Sequence, residues 1–588
     1  MASDLLTKLR AEMKSRGIDC LYVPTADPHQ SEYVAAHFQT RVFLTGFTGS
    51  QGTAIVTQNE ALLWTDGRYF IQAAKQIENT GFTLMKQSTP GYPSITEWLA
   101  AHLQDNEVLV FNGTLLSEAQ YDTLQQTFAK RHVHLRSDET ILEQFWTDRP
   151  AMPCESVFIH PPEFAGLTVA EKLSRLREKL QDVHAAVYAS LENIAWLFNY
   201  RGRDIPNNPV AFAYAIVSAE RATLYLDAEK YDDAFAAAMA ESGVILKPYT
   251  EIFTDARNLK GKIAVDKTRT SHALFEAMHD AEIVAVSEAI YALKAPLNEV
   301  EETNTREAWL KDTVALVRYF MWLEDNVPTG KVDEYTAEAA LLAFRERGAH
   351  FLEPSFDTIS AYLGNGAMMH YRAEPATAAK LEPKGLYLVD SGGQYLDGTT
   401  DITRTVSLGE PTEGERRDYT LVLKAHLNLA SAIFLYGVTG HYLDILARYP
   451  LWQHHIDYKS GTGHAVGYVS GVHEGPQRIG PVPNQIKLEP GMVVTNEPGI
   501  YREGVYGIRL ENVYIIKDSE TVGTDRFLKF DCLSFAPYDR NLIDVSLLSD
   551  HELGWLNDYH AAVYEKLSDR LETHERAWLE RATAPLTR

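Results

Sequence analysis

Three aspartates lie close together in the segment DSGGQYLDGTTD, which runs from Asp390 to Asp401. The apolar run GLYLV precedes the segment and ITRTV follows it, so the outer two aspartates fall at the ends of two strand-like stretches. An EF-hand calcium loop needs oxygen ligands at alternate early positions and glycine at the sixth. Here Gly392 occupies the third position and Tyr395 the sixth, which excludes a calcium loop of that type.

A hairpin accounts for the spacing of the aspartates. Residues 390 and 401 differ by an odd number and would face opposite ways on one continuous strand. If GGQYLDG connects two neighbouring strands, Asp390 and Asp401 can point at one spot. Asp397, next to Gly398, is then expected to serve the turn. Taken alone, a pair of hairpin aspartates is more often structural than catalytic.

A second pair of carboxylates follows later in the chain. In GMVVTNEPGIYREGVYGIRLENVYII, Glu497 ends one apolar strand and Glu511 lies inside another. A lone carboxylate among apolar neighbours is costly, and a cation that neutralises it removes that cost. Between the two pairs, SGTGHAVGYVSGVHEGP carries His464 and His473 among glycines, and upstream GNGAMMHYR supplies His370.

Together these side chains predict a metal centre. Oxygen-rich ligation with one imidazole suits hard or borderline divalent ions such as Mn²⁺ and suits structural zinc poorly. Four carboxylates exceed what one metal ion in a neutral site needs. They match two divalent ions, about 3.5–4 Å apart, bridged by carboxylates and a hydroxide.

The elements that must position these residues fall into three regions. AIVTQNEALLWTDGRY begins at Ala54 and AIVSAERATLYLDAEKY begins at Ala215, and each reaches an aspartate, Asp66 or Asp227, twelve residues on. A basic amphipathic helix and an apolar strand are predicted before each copy, which favours a duplication. We therefore expect two tandem α/β domains and a third, catalytic domain, with the bounds 1–155, 156–290 and 291–588.

A long helix is predicted to open the third region. Asn298 and Glu301 form a pattern typical of an N-terminal capping pair. After them, apolar residues recur at helical spacing on one face. They are Trp309, Leu310, Thr313, Val314, Leu316, Val317, Phe320 and Met321.

The composition limits the partners and the compartment. The 588 residues include 55 basic and 80 acidic side chains, and the formal charge of −25 disfavours nucleic acid and other phosphate-rich partners. No run of eighteen or more apolar residues occurs, so we expect no membrane span. Three dispersed cysteines are too few for a disulfide framework or a zinc knuckle, and they favour a reducing compartment, most simply the cytoplasm.

The predicted metal centre resembles the catalytic domain of the pita-bread metallopeptidases, the group that contains methionine aminopeptidase, prolidase and aminopeptidase P. The ligand order of that group is met by Asp390, Asp401 eleven residues on, His464, Glu497, and Glu511 fourteen residues on. The motifs PTADPHQSEY, FLTGFTGSQGTAIVT, WTDGRYF, IAWLFNYRGRDIPNNPV, VHEGP and PYDRNLID extend the resemblance along the chain, to the long, three-domain cytosolic form of aminopeptidase P. The resemblance implies an α/β (α+β) fold in which two tandem creatinase-like domains precede a pita-bread catalytic domain.

The same resemblance implies a metal-dependent aminopeptidase that removes any N-terminal residue preceding proline. The attacking group would be a hydroxide activated by two divalent ions, for which Mn²⁺ is the first expectation. Asp390 would chelate one ion, His464 and Glu497 the other, and Asp401 and Glu511 would bridge. Glu497 would accept the proton of the attacking water and deliver it to the leaving nitrogen. That delivery matters because the tertiary amide nitrogen of an Xaa-Pro bond must be protonated before it leaves.

Further residues acquire roles by the resemblance. His370 and His473 would be catalytic and would bind the substrate by donating hydrogen bonds to its carbonyl oxygen, and His464 would also contact the substrate. Arg68 would contact substrate from the first domain, the alternative being a surface arginine after a tight turn. Arg509, two residues before Glu511 on one strand, would orient a carboxylate ligand.

Two positions depart from close relatives of this kind. Ser460 stands where some have histidine, and Ala465 where they have glycine. Neither departure removes a ligand, and the Ser460 change concerns the hydrogen bonds at the pocket edge and with them the substrate preference or pH optimum. A dipeptide-restricted prolidase and a non-catalytic pita-bread binding protein remain as alternatives, although the latter typically lacks ligands that are all present here. The resemblance finally implies peptide substrates, no nucleic-acid or membrane partner, and a homodimer.

Overall fold

The computed structural model describes residues 2–588, which form two compact units. The first unit runs to Pro161 and resumes with Leu167–Lys294. The second unit consists of Pro162–Gly166 and Ala295–Arg588. Every helix among the described residues is too short or too polar to cross a membrane.

The first copy of the duplicated fold has five helices and a six-stranded sheet. The helices are Ala2–Ser15 (α1), Thr40–Thr45 (α2), Phe70–Gln76 (α3), Ile95–His102 (α4) and Glu118–Thr127 (α5). The strands are Cys20–Pro24 (β1), Thr53–Thr57 (β2), Ala61–Thr65 (β3), Thr83–Lys86 (β4), Val108–Phe111 (β5) and His134–Ser137 (β6). Side chains alternate across the sheet, so Leu63 and Trp64 enter separate apolar cores on its two faces.

The second copy begins after a short strand, Phe158–Ile159 (β7), and a helical turn, Pro162–Ala165 (α6). Its helices are Val169–Lys179 (α7), Leu191–Leu197 (α8), Asp233–Glu241 (α9), Ile252–Arg257 (α10), His272–Ala277 (α11) and Ile290–Lys294 (α12). Its strands are Ala185–Tyr188 (β8), Tyr200–Arg201 (β9), Tyr214–Ser218 (β10), Ala222–Tyr225 (β11), Val244–Lys247 (β12), Lys262–Val265 (β13) and Glu282–Ala285 (β14).

The two sheets have the same strand order, as a duplication requires. The first is β4-β3-β2-β1-β5-β6 and the second is β12-β11-β10-β8-β13-β14. The two AIV runs occupy β2 and β10, and each pairs antiparallel with the first strand of its copy. The predicted helices before each copy are α1 and α7. The faint sequence repeat therefore corresponds to two complete, equivalent sheets.

The second unit contains the remaining helices and strands. The helices are Glu299–Asn326 (α13), Glu334–Arg345 (α14), Glu413–Ala430 (α15), Gly440–Trp452 (α16), Asp550–Leu567 (α17) and Thr573–Ala582 (α18). The first seven strands are Phe351–Pro354 (β15), Ile359–Tyr362 (β16), Leu386–Ser391 (β17), Gly393–Tyr395 (β18), Gly398–Thr399 (β19), Ile402–Ser407 (β20) and Ile433–Leu435 (β21). The last seven are Gly463–Ala465 (β22), Glu474–Ile479 (β23), Val493–Asn496 (β24), Gly499–Arg502 (β25), Tyr506–Arg509 (β26), Asn512–Val522 (β27) and Asp525–Cys532 (β28).

Short 3₁₀ turns connect several of these elements. They are Ala36–Phe38, Glu143–Phe145, Ala228–Lys230, Tyr249–Glu251, Val327–Thr329, Leu363–Ala367, Arg540–Leu542, Val545–Leu547 and Ser568–Arg570.

The predicted long helix is α13. The Asn298 side chain accepts hydrogen bonds from the main-chain N–H groups of Val300 and Glu301, and the Glu301 carboxylate accepts one from the Asn298 N–H. The predicted apolar face, with Trp309 and Val317, enters the large core of the second unit. Helices α13–α18 pack with this core around two antiparallel sheets, β16-β17-β20 and β21-β28-β27-β24.

Candidate metal centre

The outer two aspartates, Asp390 and Asp401, lie in or next to two neighbouring antiparallel strands, as the hairpin interpretation predicts. Asp390 in β17 pairs with Thr403 in β20, and Asp401 directly precedes β20. The connection between them is folded, because β18 and β19 form a three-stranded sheet with β15. Asp397 lies in the turn between β18 and β19 and accepts an ion-pair hydrogen bond from Lys311 at 2.7 Å.

His464 lies in β22 and directs one ring nitrogen at the carboxylates. Its Nδ1 atom is 3.0 Å from the carbonyl oxygen of Ala465. A carbonyl oxygen only accepts, so Nδ1 carries the proton of the neutral ring and Nε2 keeps a lone pair. Nε2 lies 3.5 Å from Asp401 Oδ2 and 3.5 Å from Glu497 Oε1. This geometry suits a ring that ligates through Nε2.

The two glutamates reach the same place from the ends of strands. Glu497 follows β24, and its main-chain N–H donates to the carbonyl oxygen of Thr462 at 2.7 Å. Glu511 is almost fully buried, and its Oε2 atom accepts a hydrogen bond of 2.8 Å from the Thr403 hydroxyl.

The prediction that Glu511 lies inside a strand is wrong. Strand β26 ends at Arg509 and β27 begins at Asn512, so Glu511 occupies the short link between them. The physical reason is a change of main-chain partner, since the Leu510 N–H donates to Pro498 and the Glu511 N–H donates to Thr403. Arg509 and Glu511 are consequently not on one strand.

Six side chains bring ligand atoms within 4.8 Å of one another in three overlapping groups. The groups are Asp390, Asp401 and Glu511; Asp401, His464 and His473; and His464, Glu497 and Glu511. Each of Asp401, His464 and Glu511 belongs to two groups. The structure thus brings together all five residues predicted as ligands, with His473 beside them.

The negative charge of the buried carboxylates in this cluster favours the binding of cations. Burial raises the pKa of Asp401 well above its ordinary value, and the negative charge of Asp390 raises it further. Burial and then the charge of Asp401 likewise raise the pKa of Glu511. Among the described residues, buried Asp390 Oδ1 has no hydrogen-bond partner. Divalent ions would satisfy these oxygen atoms and remove the mutual repulsion of the carboxylates.

Arg509 contacts Asp390 directly and is linked to Glu511 through the Thr403 hydroxyl. It donates from Nη2 to Asp390 Oδ2 and from Nε to the Thr403 hydroxyl at 3.1 Å. It also donates to the Tyr501 hydroxyl at 2.8 Å and to the Met369 carbonyl oxygen at 3.4 Å. One guanidinium therefore holds a candidate ligand and the segment that precedes His370.

The two remaining histidines differ in position. The His473 ring lies edge-to-face on the His464 ring, with centroids 4.2 Å apart. His370 is outside the three groups of ligand atoms found among the described residues and follows the 3₁₀ turn Leu363–Ala367. The chain of that turn lies against β26 at Gly366 and Gly507, where a Cβ atom added to Gly507 would lie 1.7 Å from the Gly366 carbonyl oxygen.

Arg68 lies in the first unit, between β3 and α3. Its guanidinium donates to both carboxylate oxygens of Asp66, at 2.9 and 2.8 Å. The Arg68 main-chain N–H also donates to Asp66, so the aspartate of the repeat motif holds the arginine in its own turn.

The two departures from close relatives leave the histidine loop anchored. The Ser460 carbonyl oxygen accepts a hydrogen bond from Arg448 Nη2 at 2.8 Å, and Ala465 supplies the carbonyl oxygen that contacts His464. Arg448 and Asp444 form a buried pair on α16, and Asp444 also accepts a hydrogen bond from Thr462. The loop before His464 is therefore fixed to α16 through its main chain and Thr462.

Sequence reasoning missed the hydroxyl of Thr403. The signal that could have found it is the alternation of strand side chains, because Thr403 lies two residues after Asp401 and so faces the same side. Buried Thr403 links Glu511 with Arg509.

The chain is similar to known proteins over its whole length. Family models match residues 303–518 (metallopeptidase family M24), 526–586 (C-terminal region of peptidase M24), and 6–143 and 148–301 (both described as creatinase/prolidase N-terminal domain). The probable Xaa-Pro aminopeptidase P of Botryotinia fuckeliana is 41% identical, with 99% of this chain and 93% of that one covered. The protein of the same description from Ajellomyces capsulatus is 42% identical, with 99% of each chain covered.

A solved structure extends this similarity. The X-prolyl aminopeptidase of Caenorhabditis elegans, described as a cytosolic enzyme with a di-nuclear active site, is 34% identical. It superposes with a TM-score of 0.96 and covers all of both chains. Full-length identities of this size show common descent and a common fold. The chain therefore belongs to the Xaa-Pro aminopeptidase P family of M24 metallopeptidases.

Proposed function

We propose that this enzyme hydrolyses the peptide bond between any N-terminal residue and a proline at the second position, with two divalent metal ions. The observation that carries the proposal is the overlap of three ligand groups at Asp401, His464 and Glu511. An overlap of this kind is what carboxylates shared between two ions require. The names of the full-length relatives supply the proline specificity, which the ligand geometry alone does not define.

The ligand roles follow the grouping. Asp390 would hold one ion, His464 and Glu497 the other, and Asp401 and Glu511 would bridge. Asp401, His464 and Glu511 belong to two groups each, and of these only the two carboxylates have two oxygen atoms to share between ions. When bound, the ions supply Lewis acidity, which lowers the pKa of water and polarises a peptide carbonyl.

Glu497 is suited to move the proton. It is less buried than Glu511, and its Oε1 atom faces His464 Nε2. In the proposed reaction the Glu497 carboxylate accepts a proton from the attacking water and delivers it to the prolyl nitrogen as the C–N bond breaks. His473, beside His464, and His370 donate hydrogen bonds to the carbonyl oxygen as negative charge develops there.

Substrate lengths and metal content test the proposal together. The chelated protein and the protein reloaded with Mn²⁺ are offered the tripeptides Arg-Pro-Pro and Arg-Ala-Pro and the dipeptide Arg-Pro. We expect release of arginine from Arg-Pro-Pro, none from Arg-Ala-Pro, and no activity in the chelated protein. Cleavage of the dipeptide alone would show a prolidase, and full activity after chelation would exclude the metal mechanism.

Mn²⁺ is the ion that we propose for the native enzyme. The candidate ligand set has four carboxylates and one imidazole, and this hardness suits Mn²⁺ better than zinc. Reloading the chelated protein with Mn²⁺, Zn²⁺ or Mg²⁺ separately, and measuring kcat with each, tests the choice. Higher kcat with Zn²⁺ than with Mn²⁺ would overturn it.

We further propose three domains with the bounds 1–155, 156–290 and 291–588. One six-stranded sheet within each of the first two ranges supports these bounds, as does the start of the main part of the second unit at Ala295.

A cytosolic location is proposed because the C. elegans relative is described as cytosolic. Fluorescence microscopy of the tagged protein in its own cells would show diffuse cytosolic signal.

A homodimer is proposed from an exposed apolar surface on the second unit. Helix α16 exposes four large side chains at spacings of three, four and three residues, which places them on one face. These are Tyr442, Ile445, Tyr449 and Trp452, exposed by 70, 40, 57 and 46%. Beside them in sequence, Ile433 and Leu435 are exposed on β21, an edge strand. Apolar surface of this kind is typical of protein interfaces.

Light scattering after gel filtration tests the dimer. The wild-type chain should give twice the mass of the 66.1 kDa monomer. The double variant Tyr442→Asp with Tyr449→Asp should give the monomer mass, while Tyr335→Asp, on another exposed tyrosine, in α14, should leave the mass unchanged. A monomeric wild type would refute the proposal.

A further inference from the structure

The segment that carries His370 has little regular structure of its own. It runs from residue 362, at the end of β16, to residue 379, and is called here the His370 segment. Within it only the turn Leu363–Ala367 is helical, and the rest consists of turns and extended chain. A segment of this kind is held in one conformation mainly by groups outside it.

One buried carboxylate contacts the His370 segment at both ends and beside the histidine. Glu334, the first residue of α14, is fully buried. Its Oε1 atom accepts hydrogen bonds from the Tyr362 N–H at 2.7 Å and the Asn365 amide at 2.9 Å. Its Oε2 atom accepts from the Tyr371 hydroxyl at 2.8 Å and the Ala379 N–H at 2.7 Å.

The chemistry of these contacts requires a carboxylate. Four uncharged donors converge on the two oxygens of Glu334, and a carboxylate offers about four lone-pair positions. A glutamine side chain at this position would offer one oxygen and would turn an NH₂ group toward two of the donors. Buried donors left without an acceptor cost free energy, so the segment would move to recover partners.

Other contacts connect the His370 segment with the metal centre. Gly366 lies against Gly507 of β26, with no room for a side chain between the two chains. The Met369 carbonyl oxygen accepts a hydrogen bond from Arg509, which also donates to Asp390. The segment therefore contacts both Glu334 and the guanidinium that holds a candidate ligand.

We propose that Glu334 is a positioning residue for the reaction, which fixes His370 where it can donate a hydrogen bond to the substrate carbonyl oxygen. The inference rests on the proposed function, in which His370 has that role. The partners of the Glu334 carboxylate are Tyr362, Asn365, Tyr371 and Ala379, and none of them is a candidate ligand. It acts by holding the main-chain N–H groups of Tyr362 and Ala379, before and after the histidine, and the side-chain hydroxyl of Tyr371 beside it.

A double-mutant cycle on kcat tests this role with Arg-Pro-Pro as substrate. Glu334→Gln should lower kcat about 10- to 100-fold, below the loss of about 10²–10³ expected for His370→Ala, with KM changed less than about threefold. Because Glu334 acts through His370, the double variant should match His370→Ala within about threefold. Losses that multiply, or a His370→Ala variant with normal kcat, would overturn the proposal.

A matched control separates positioning from stability. Glu552 is also a buried carboxylate of the second unit, and it accepts hydrogen bonds from Ser549, Lys424 and Asn428. Glu552→Gln should lower Tm as Glu334→Gln does and leave kcat within about twofold of wild type. If Glu334→Gln does not fold, Tyr371→Phe keeps the carboxylate and removes one donor, and it should lower kcat about 3- to 10-fold with the same dependence on His370.

Amide hydrogen exchange gives a readout that needs no turnover. Exchange in residues 362–379 should be faster in Glu334→Gln than in wild type, and it should be unchanged there in Glu552→Gln. Unchanged exchange in the Glu334→Gln variant would overturn the positioning role even if peptides are cleaved. Failure of the wild type to cleave Arg-Pro-Pro would instead refute the proposed function, and the exchange result would still stand.

Discussion

The hydroxyl of Thr403 offers the sharpest test of how the candidate ligands are held. It donates to Glu511 Oε2 at 2.8 Å and accepts from Arg509 Nε at 3.1 Å, in a fully buried position. Valine has nearly the same shape as threonine and lacks the hydroxyl. Thr403→Val therefore leaves the volume of the core unchanged and removes one hydrogen bond to a candidate bridging ligand.

The expected magnitude follows from those two contacts. Loss of a hydrogen-bond partner of a metal ligand typically costs about 10- to 100-fold in metal affinity, which corresponds to about 1.4–2.7 kcal/mol. In the same variant Arg509 Nε loses a buried acceptor, which costs about 1–3 kcal/mol of folding stability. Metal affinity and Tm should therefore both fall.

Calorimetric titration of the chelated protein with Mn²⁺ measures the affinity, and a thermal melt measures the stability. Thr403→Ser keeps the hydroxyl and is the control, with an expected affinity within about threefold of wild type. A Thr403→Val protein that binds Mn²⁺ as tightly as the serine variant would show that the hydroxyl does not orient a ligand, and the reasoning about Glu511 would be refuted.

Three further predictions concern the same centre. Glu497→Gln should reduce kcat to background while Tm and circular dichroism stay near wild type, because the proton carrier is lost and the fold is not. The pKa values of Asp401 and Glu511 are raised in the folded protein, so the metal-free folded state holds their protons more tightly than the unfolded state does. As the pH rises above about 4, the metal-free fold therefore loses stability. Divalent ions remove that destabilisation, so the gain in Tm on adding Mn²⁺ should be larger at pH 8 than at pH 5. Gly507→Ala should lower both Tm and kcat, since its Cβ atom would lie 1.7 Å from the Gly366 carbonyl oxygen and would cost about 1–3 kcal/mol or more.

Each of these predictions has a control or a contradicting result. Glu489→Gln, at a carboxylate that accepts a hydrogen bond from Tyr436 on the surface, should keep normal kcat. A gain in Tm that shrinks between pH 5 and pH 8 would contradict the raised pKa values. Gly554→Ala, at a helical glycine with open space around it, should be neutral or stabilising, and equal effects of the two alanines would contradict the packing argument.

The elements that depend on residues close together in the chain could be predicted from the sequence. The helix cap at Asn298 and the two AIV strands depend on near neighbours in the chain, and the structure has them where they were expected. The pairing of β17 with β20 was also predictable, because the hydrophobic runs on either side of the aspartates are adjacent in sequence. Local pattern was sufficient for each of these elements.

Contacts between distant segments could not be predicted in this way. The sequence pattern predicts Arg509 and Glu511 on one strand, and this is wrong. The strand ends because the main-chain partners change at Leu510, and that change depends on Pro498 and Thr403, which no local pattern specifies. Glu334 gave no signal at all, since an acidic residue in the first turn of a helix is ordinary. Its contact with the His370 segment exists only once α14 and β16 have packed together.

The connection between Asp390 and Asp401 determines where the chain can vary in length. Surface loops tolerate insertions, whereas this connection is two paired strands with a buried turn. Gly392 within it has no room for a side chain, since an added Cβ atom would lie 1.9 Å from the Thr400 carbonyl oxygen. One inserted residue would shift the pairing register and turn Asp401 to the other face of the sheet. Natural length variation should therefore spare this connection and occur in exposed turns such as the one between β27 and β28.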